Sequence, residues 1–204
     1  MGLTAIAFNS TLKTSDVDAP SSTDFMLSLI RNALKRHQVD MTVVWLADHD
    51  IKPGVSADEG EGDHWPQIRQ DLLSADILVV GTPIWLGQPS SVCKRALERM
   101  DAFLGETDDK GRMPTFGKVA LVAVVGNEDG AHHVSAELYQ ALNDLGYTLP
   151  ANAVAYWVGE AMHGTDFVDL ERVPEKVQST IDMAVANAVH LAGLLAEQPY
   201  GNPR

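Results

Sequence analysis

A single cysteine, Cys93, in 204 residues leaves no partner for a disulfide and no set of thiolates for a zinc or iron–sulfur centre. Basic residues are scarce as well: 15 lysines and arginines face 28 aspartates and glutamates, for a formal net charge of −13. A field of that sign repels nucleic-acid backbones and anionic lipid headgroups, so neither nucleic acid nor a membrane surface is an expected partner. The opening residues Met1–Phe8 carry no basic leader and no long apolar run, which predicts neither a signal peptide nor a membrane-spanning helix. The expected setting is reducing and cytoplasmic. Glycine signatures of common nucleotide sites are missing too. No Gly-x-x-x-x-Gly-Lys-Ser/Thr stretch occurs, and the one Gly-x-Gly, Gly60-Glu61-Gly62, lies in an acidic segment that would repel a pyrophosphate.

What remains is ordinary for a globular chain. Hydrophobic residues make up 45%, enough for one continuous core, and the length suits a single domain over residues 1–204. Apolar β-rich runs at Leu3–Phe8, Met41–Ala47, Asp76–Gly81, Val119–Val125 and Asn152–Val158 predict five strands. Helical patterning falls between them. It follows the capping stretch Ser21-Ser22-Thr23-Asp24, then recurs at Trp65–Ser74, Val92–Leu104, up to Leu145 before Gly146, and Val173–Leu195. Alternating strands and helices predict an α/β fold: a flavodoxin-like three-layer sandwich on a five-stranded parallel sheet of order 2-1-3-4-5.

Ligands of such sheets lie beyond the carboxyl ends of the strands, near the switch point. Three segments reach that edge. Asn9 to Thr23 is rich in hydroxyls and runs into a helix start, a setting that suits a phosphate held by hydroxyls, N–H groups and the helix dipole. Thr82-Pro83-Ile84-Trp85-Leu86-Gly87 offers a stiffened turn, backbone hydrogen-bonding groups and an aromatic wall for a flat heterocycle. Gly126-Asn127-Glu128-Asp129-Gly130 closes the third strand end of the set.

The run Ala75-Asp76-Ile77-Leu78-Val79-Val80-Gly81-Thr82-Pro83-Ile84-Trp85, followed by Gln88-Pro89-Ser90-Ser91 and then Lys94, Glu98 and Arg99, resembles the NADPH-dependent FMN reductase family. It looks closest to the multimeric, flavodoxin-like branch with quinone reductase activity, and the likeness runs from Leu3 to about Gly159. The resemblance implies FMN as a non-covalent cofactor, NADPH or NADH as co-substrate, and a small-molecule electron acceptor such as a quinone or free flavin. It implies a homodimer or homotetramer as well. Ser10, Thr11, Lys13, Ser22 and Thr23 take the positions of the phosphate loop. Pro83, Ile84, Trp85, Leu86 and Gly87 take those that line the isoalloxazine ring, and Gly126, Asn127, Glu128, Asp129 and Gly130 those of the third flavin loop. The departures are a longer first loop without glycine and four acids, Asp16, Asp18, Glu128 and Asp129, where a phosphate and a ring are expected. A flavodoxin-type electron carrier that does not oxidise NAD(P)H itself is the alternative, and a scaffold without cofactor is a third reading.

His132 and His163 are the candidates for a side chain that hydrogen-bonds an acceptor or moves a proton, since His132 follows the third loop and His163 lies in the loop after the fifth strand, both on the ligand edge. No metal site is expected. His132, His133 and Asp129 are too close in sequence to converge as ligands, and the acidic run Asp58–Asp63 lacks the spacing of a calcium loop. That run reads as part of a solvated excursion over Asp48–Pro66. Lys94, Glu98 and Arg99 read as a salt-bridged helix face, and Cys93 as a structural thiol.

Overall fold

Successive residues of a strand point to opposite faces, and here both faces are apolar. In β1 (Thr4–Asn9), Ala5 and Ala7 enter one core while Ile6 and Phe8 enter another. The same parity holds in β3 (Ile77–Trp85), with Ile77 and Val79 on one side and Leu78 and Val80 on the other. It holds again in β5 (Val119–Gly126), where Leu121 and Ala123 oppose Val122 and Val124. A sheet apolar on both faces must be covered twice. Helices α1 (Ser22–Arg36) and α5 (Glu175–Glu197) cover the first face. Helices α2 (Trp65–Ser74), α3 (Ser91–Met100) and α4 (Ala131–Asp144) cover the second.

The computed structural model describes residues 2–161 and 163–201. Its parallel strands follow the order β2-β1-β3-β5-β6, with β2 at Asp40–Trp45 and β6 at Val154–Val158. This is the order expected from the sequence, one strand number being taken by the short β4 (Gln88–Pro89). In register, Ala7 lies opposite Val43 on one side and Val79 on the other, and Val79 lies opposite Leu121.

Two boundaries differ from the sequence reading by more than a couple of residues. The third strand does not stop at Gly81. It continues to Trp85, pairs Pro83 with Val125 of β5, and folds back so that Trp85 meets Gln88 of β4 in an antiparallel pair. The turn Leu86-Gly87 between them has positive φ at both residues (52° and 73°), as a two-residue hairpin demands. The helix expected to reach Leu104 ends at Met100 and tightens into a 3-10 turn over Asp101–Gly105.

The excursion between β2 and α2 is also not simply solvated. Arg99, expected on an exposed face, is fully buried and holds Asp63 through two hydrogen bonds, Nη1–Oδ1 3.0 Å and Nη2–Oδ2 2.7 Å. Its remaining protons reach the carbonyls of Lys52 and Ser56, and the guanidinium lies 5.7 Å from the Trp65 ring centre. Burial alone would raise the Asp63 carboxyl. Arg99 and the N–H groups of Glu59, Trp65 and Lys52 outweigh it and hold Asp63 well below the carboxylate range.

Helix α5 is long and apolar enough to cross a membrane, with a mean hydropathy of 1.3 in its most apolar stretch. Its Ile181, Ala184, Val185 and Ala188 lie in the core that α1 shares with the sheet.

Candidate functional site

The loop after β1 is fixed from below. Asn9 is fully buried; its Oδ1 accepts the Thr11 N–H (3.2 Å) and its Nδ2 donates to Asp24 Oδ1 (3.3 Å) in the first turn of α1. Ser10 pins the loop to its neighbours: its N–H donates to the Gly81 carbonyl (2.9 Å) and its carbonyl accepts from Ser90 Oγ (2.6 Å). At the far end Ser21 caps α1, accepting the Asp24 N–H on its hydroxyl. The N–H groups of Ser22 and Thr23 belong to the first helical turn and have no intrahelical partner by geometry. Lys13 crosses the loop, its Nζ donating to the Pro20 carbonyl (2.5 Å).

This loop and the start of α1 form one side of a cleft of about 190 Å³ at the carboxyl edge of the sheet. Thr11, Leu12, Lys13, Ser21, Ser22 and Thr23 line that side. The ends of β3, β5 and β6 and the segment after β6 form the other, through Pro83, Ile84, Trp85, Gly126, Asn127, Glu128, Trp157, Asp166 and Phe167. Trp157 and Phe167 stack at a tilt with ring centres 5.3 Å apart, and Phe25 of α1 supports Phe167 from behind at the same distance. Gly126 permits this wall to close: a Cβ there would meet Ile84 Cβ at 3.0 Å. Trp85 is 55% exposed, so it borders the cleft rather than filling the core.

The third loop leans on the β3–β4 turn. A Cβ on Gly130, where φ is 129°, would fall 2.9 Å from Gly87 Cα, so only glycine allows this approach. The Glu128 carboxylate reaches across and accepts the Leu86 N–H on Oε1 (2.9 Å). Behind it, Asn127 Nδ2 donates to Asp166 Oδ1 (3.2 Å).

Of the residues expected from the sequence, Thr11, Lys13, Ser22, Thr23, Pro83, Ile84, Trp85, Gly126, Asn127 and Glu128 come together in the cleft. Ser10 lies buried beneath it, and Leu86, Gly87, Asp129 and Gly130 shape the adjoining turn and loop without lining it. His132 and His163 stand outside. His132 Nε2 is 3.1 Å from the Tyr156 hydroxyl, and His163 Nδ1 is 3.1 Å from Glu160 Oε2, both on the surface. Asp16 and Asp18 are exposed and likewise outside the lining, Asp16 accepting a hydrogen bond from the Thr14 hydroxyl. Trp157, Asp166 and Phe167 were not anticipated. Trp157 sits near a strand end on the ligand edge, a signal that the sequence did carry; Asp166 and Phe167 lie in an irregular segment with no pattern to mark them.

Cys93 is fully buried at the start of α3, and burial pushes its thiol up to about 11 against the smaller pull of the Ser10 and Thr82 hydroxyls. It is not placed to act as a nucleophile. No group of three or more metal-ligating side chains occurs among the described residues.

A parallel sheet of this order, with a hydroxyl-lined helix start facing an aromatic wall across the switch point, defines a flavodoxin-like α/β protein. The chain belongs to the NADPH-dependent FMN reductase family, whose model matches residues 6–173, and is therefore an oxidoreductase enzyme of a family that uses FMN and NADPH. It is similar to 8-demethyl-8-aminoriboflavin-5'-phosphate synthase of Streptomyces davaonensis, 34% identical over 98% of this chain and 81% of that protein. The solved structure of RosB with bound 8-demethyl-8-formylriboflavin-5'-phosphate superposes with a TM-score of 0.87 at 32% identity, covering 98% of this chain and 82% of that one. A further relative is the divalent metal cation transporter MntH of Mycobacterium bovis, 37% identical over 82% of this chain. This chain spans only 25% of that protein's length.

The cleft suits FMN by the chemistry of its donors. Hydroxyls of Thr11, Ser21, Ser22 and Thr23, the free N–H groups of α1 and one ammonium match a phosphate monoester. Ile84, Trp85, Trp157 and Phe167 match a flat apolar ring.

Proposed function

We propose that this protein binds FMN in the cleft, oxidises NADPH or NADH, and passes the electrons to a small acceptor such as a quinone or free flavin. The observation that carries the reading is the pairing, in one cleft of a family member, of the α1 start with an open aromatic wall. Bound there, FMN supplies the hydride chemistry that no side chain provides. The protein's part is to hold and orient it. Ser22, Thr23 and Lys13 hold the phosphate against the α1 dipole. Ile84, Trp157 and Phe167 exclude water from the apolar wall, and half-exposed Trp85 leaves the mouth open to co-substrate and acceptor in turn. Leu12, Val17, Trp85 and Leu86 expose apolar side chains on the loops that border this mouth, a surface suited to a second copy in a homodimer or homotetramer.

Anaerobic mixing of the FMN-loaded protein with each nicotinamide nucleotide tests the reading. The flavin colour is expected to bleach with at least one nucleotide and to return when a quinone or free flavin is added. Binding of FMN without bleaching by either nucleotide would overturn it in favour of an electron carrier. A second reading is favoured by the likeness to RosB and to the Streptomyces enzyme over nearly the whole chain. In it, a flavin 5'-phosphate is the substrate and is altered at its 8-position. Mass spectrometry of the flavin recovered after turnover separates the two: an unchanged mass supports the reductase, a changed one the flavin-modifying enzyme.

A further inference from the structure

Asp16, Asp18 and Asp129, which on sequence grounds bordered the ligand, lie outside the cleft lining, and Glu128 remains inside it. Its carboxylate does two things at once. Oε1 accepts the N–H of Leu86, a non-glycine residue at φ 52° that is 91% exposed, and so holds the Trp85–Gly87 turn against the third loop. The same carboxylate places a negative charge on the β3 and β5 side of the cleft, whose lining Asp166 shares, while Lys13, the one lining cation among the described residues, stands on the α1 side. From this arrangement we infer that Glu128 is a positioning residue that also sets the redox preference of the site, disfavouring the reduced flavin relative to the oxidised one. The inference rests on the proposed FMN site.

The physical reason is charge. Two electrons and one proton convert FMN to its anionic reduced form, and the added negative charge resides on the pyrimidine side of the ring. A fixed carboxylate in a cleft partly shielded from water repels that charge, whereas neutral oxidised FMN is indifferent to it. The consequence is a lowered midpoint potential and weaker binding of reduced than of oxidised FMN. A site of this kind releases electrons readily to a weak acceptor. Because a neutral amide retains a carbonyl to accept the Leu86 N–H, Glu128→Gln removes the charge and leaves the turn held. Glu128→Ala removes both.

The test measures FMN affinity in the oxidised and in the chemically reduced state, together with the midpoint potential, for wild type, E128Q and E128A. For E128Q, oxidised FMN should bind as in wild type, and reduced FMN roughly tenfold tighter, a rise of about 30 mV for a two-electron couple. E128A should show the same rise together with weaker binding of oxidised FMN, which the Gln variant rescues. Asp144→Asn, at the far end of α4, removes a remote exposed charge and should shift nothing. An unchanged or lowered potential in E128Q would overturn the inference while leaving the FMN site intact. Failure of the wild type to bind FMN would overturn the site and the inference with it.

Discussion

Single side chains in this protein owe their behaviour to what surrounds them more than to their type. Cys93 illustrates this, since its thiol is buried beneath the first loop and its ionisation is suppressed by desolvation. The sign is unambiguous: a thiol raised to about 11 is protonated throughout the neutral range, and only the thiolate reacts. Native protein should therefore resist a disulfide exchange reagent at pH 8 and release one thiol per chain once unfolded. Prompt reaction of the native state would show that the α3 start opens. His132 and His163 are the opposite case. In sequence one follows and the other lies in a loop on the ligand edge, but residue position along a helix or loop does not fix where a ring points, and both rings end on the surface beside Tyr156 and Glu160.

The elements were the most legible part of the sequence. Strands buried on both faces read as continuous apolar runs, so the three central strands follow from Ala5–Phe8, Ile77–Val80 and Val119–Val125, while the partly exposed edge strands β2 and β6 are legible only from their β-rich composition. Helix α1 was equally plain because Ser21 and Asp24 mark its start. What escaped was long-range pairing. Arg99 looked like one more charge on α3, and Asp63 like one more acid in a loop, since nothing local signals that the two meet. Asp63→Asn should cost about 3–5 kcal/mol, because it leaves the Arg99 charge buried without its partner. That predicts a fall of roughly 10 °C in Tm, read by calorimetry. The pH dependence follows from the lowered carboxyl of Asp63 in the fold. Its contribution is fully present above the unfolded value of about 4 and is lost as pH falls toward the lower folded value. A variant as stable as wild type at pH 7 would show that the excursion between β2 and α2 is not anchored by this pair.

At the scale of the molecule, the net charge of −13 and the phosphate site pull in opposite directions. The fold reconciles them by placement. Acids of the β2–α2 excursion and of the first loop lie away from the cleft lining, whose acids, Glu128 and Asp166, come from the segments after β5 and β6, while the cleft's α1 side collects hydroxyls, helix N–H groups and Lys13. Most of the lining was legible in the sequence, because loops at strand ends are found once the strands are. Trp157 lies near the end of the last strand on the ligand edge, where the sequence did carry a signal, whereas Asp166 and Phe167 come from an irregular segment with no pattern to mark them. The central claim is that FMN sits with its phosphate on the α1 start, and it is tested most directly by titrating the protein with FMN and with riboflavin, which lacks only that phosphate. Charge-assisted hydrogen bonds to the phosphate predict FMN binding tighter by on the order of a hundredfold, with the gap narrowing as salt rises. Equal affinity for the two flavins would contradict the account.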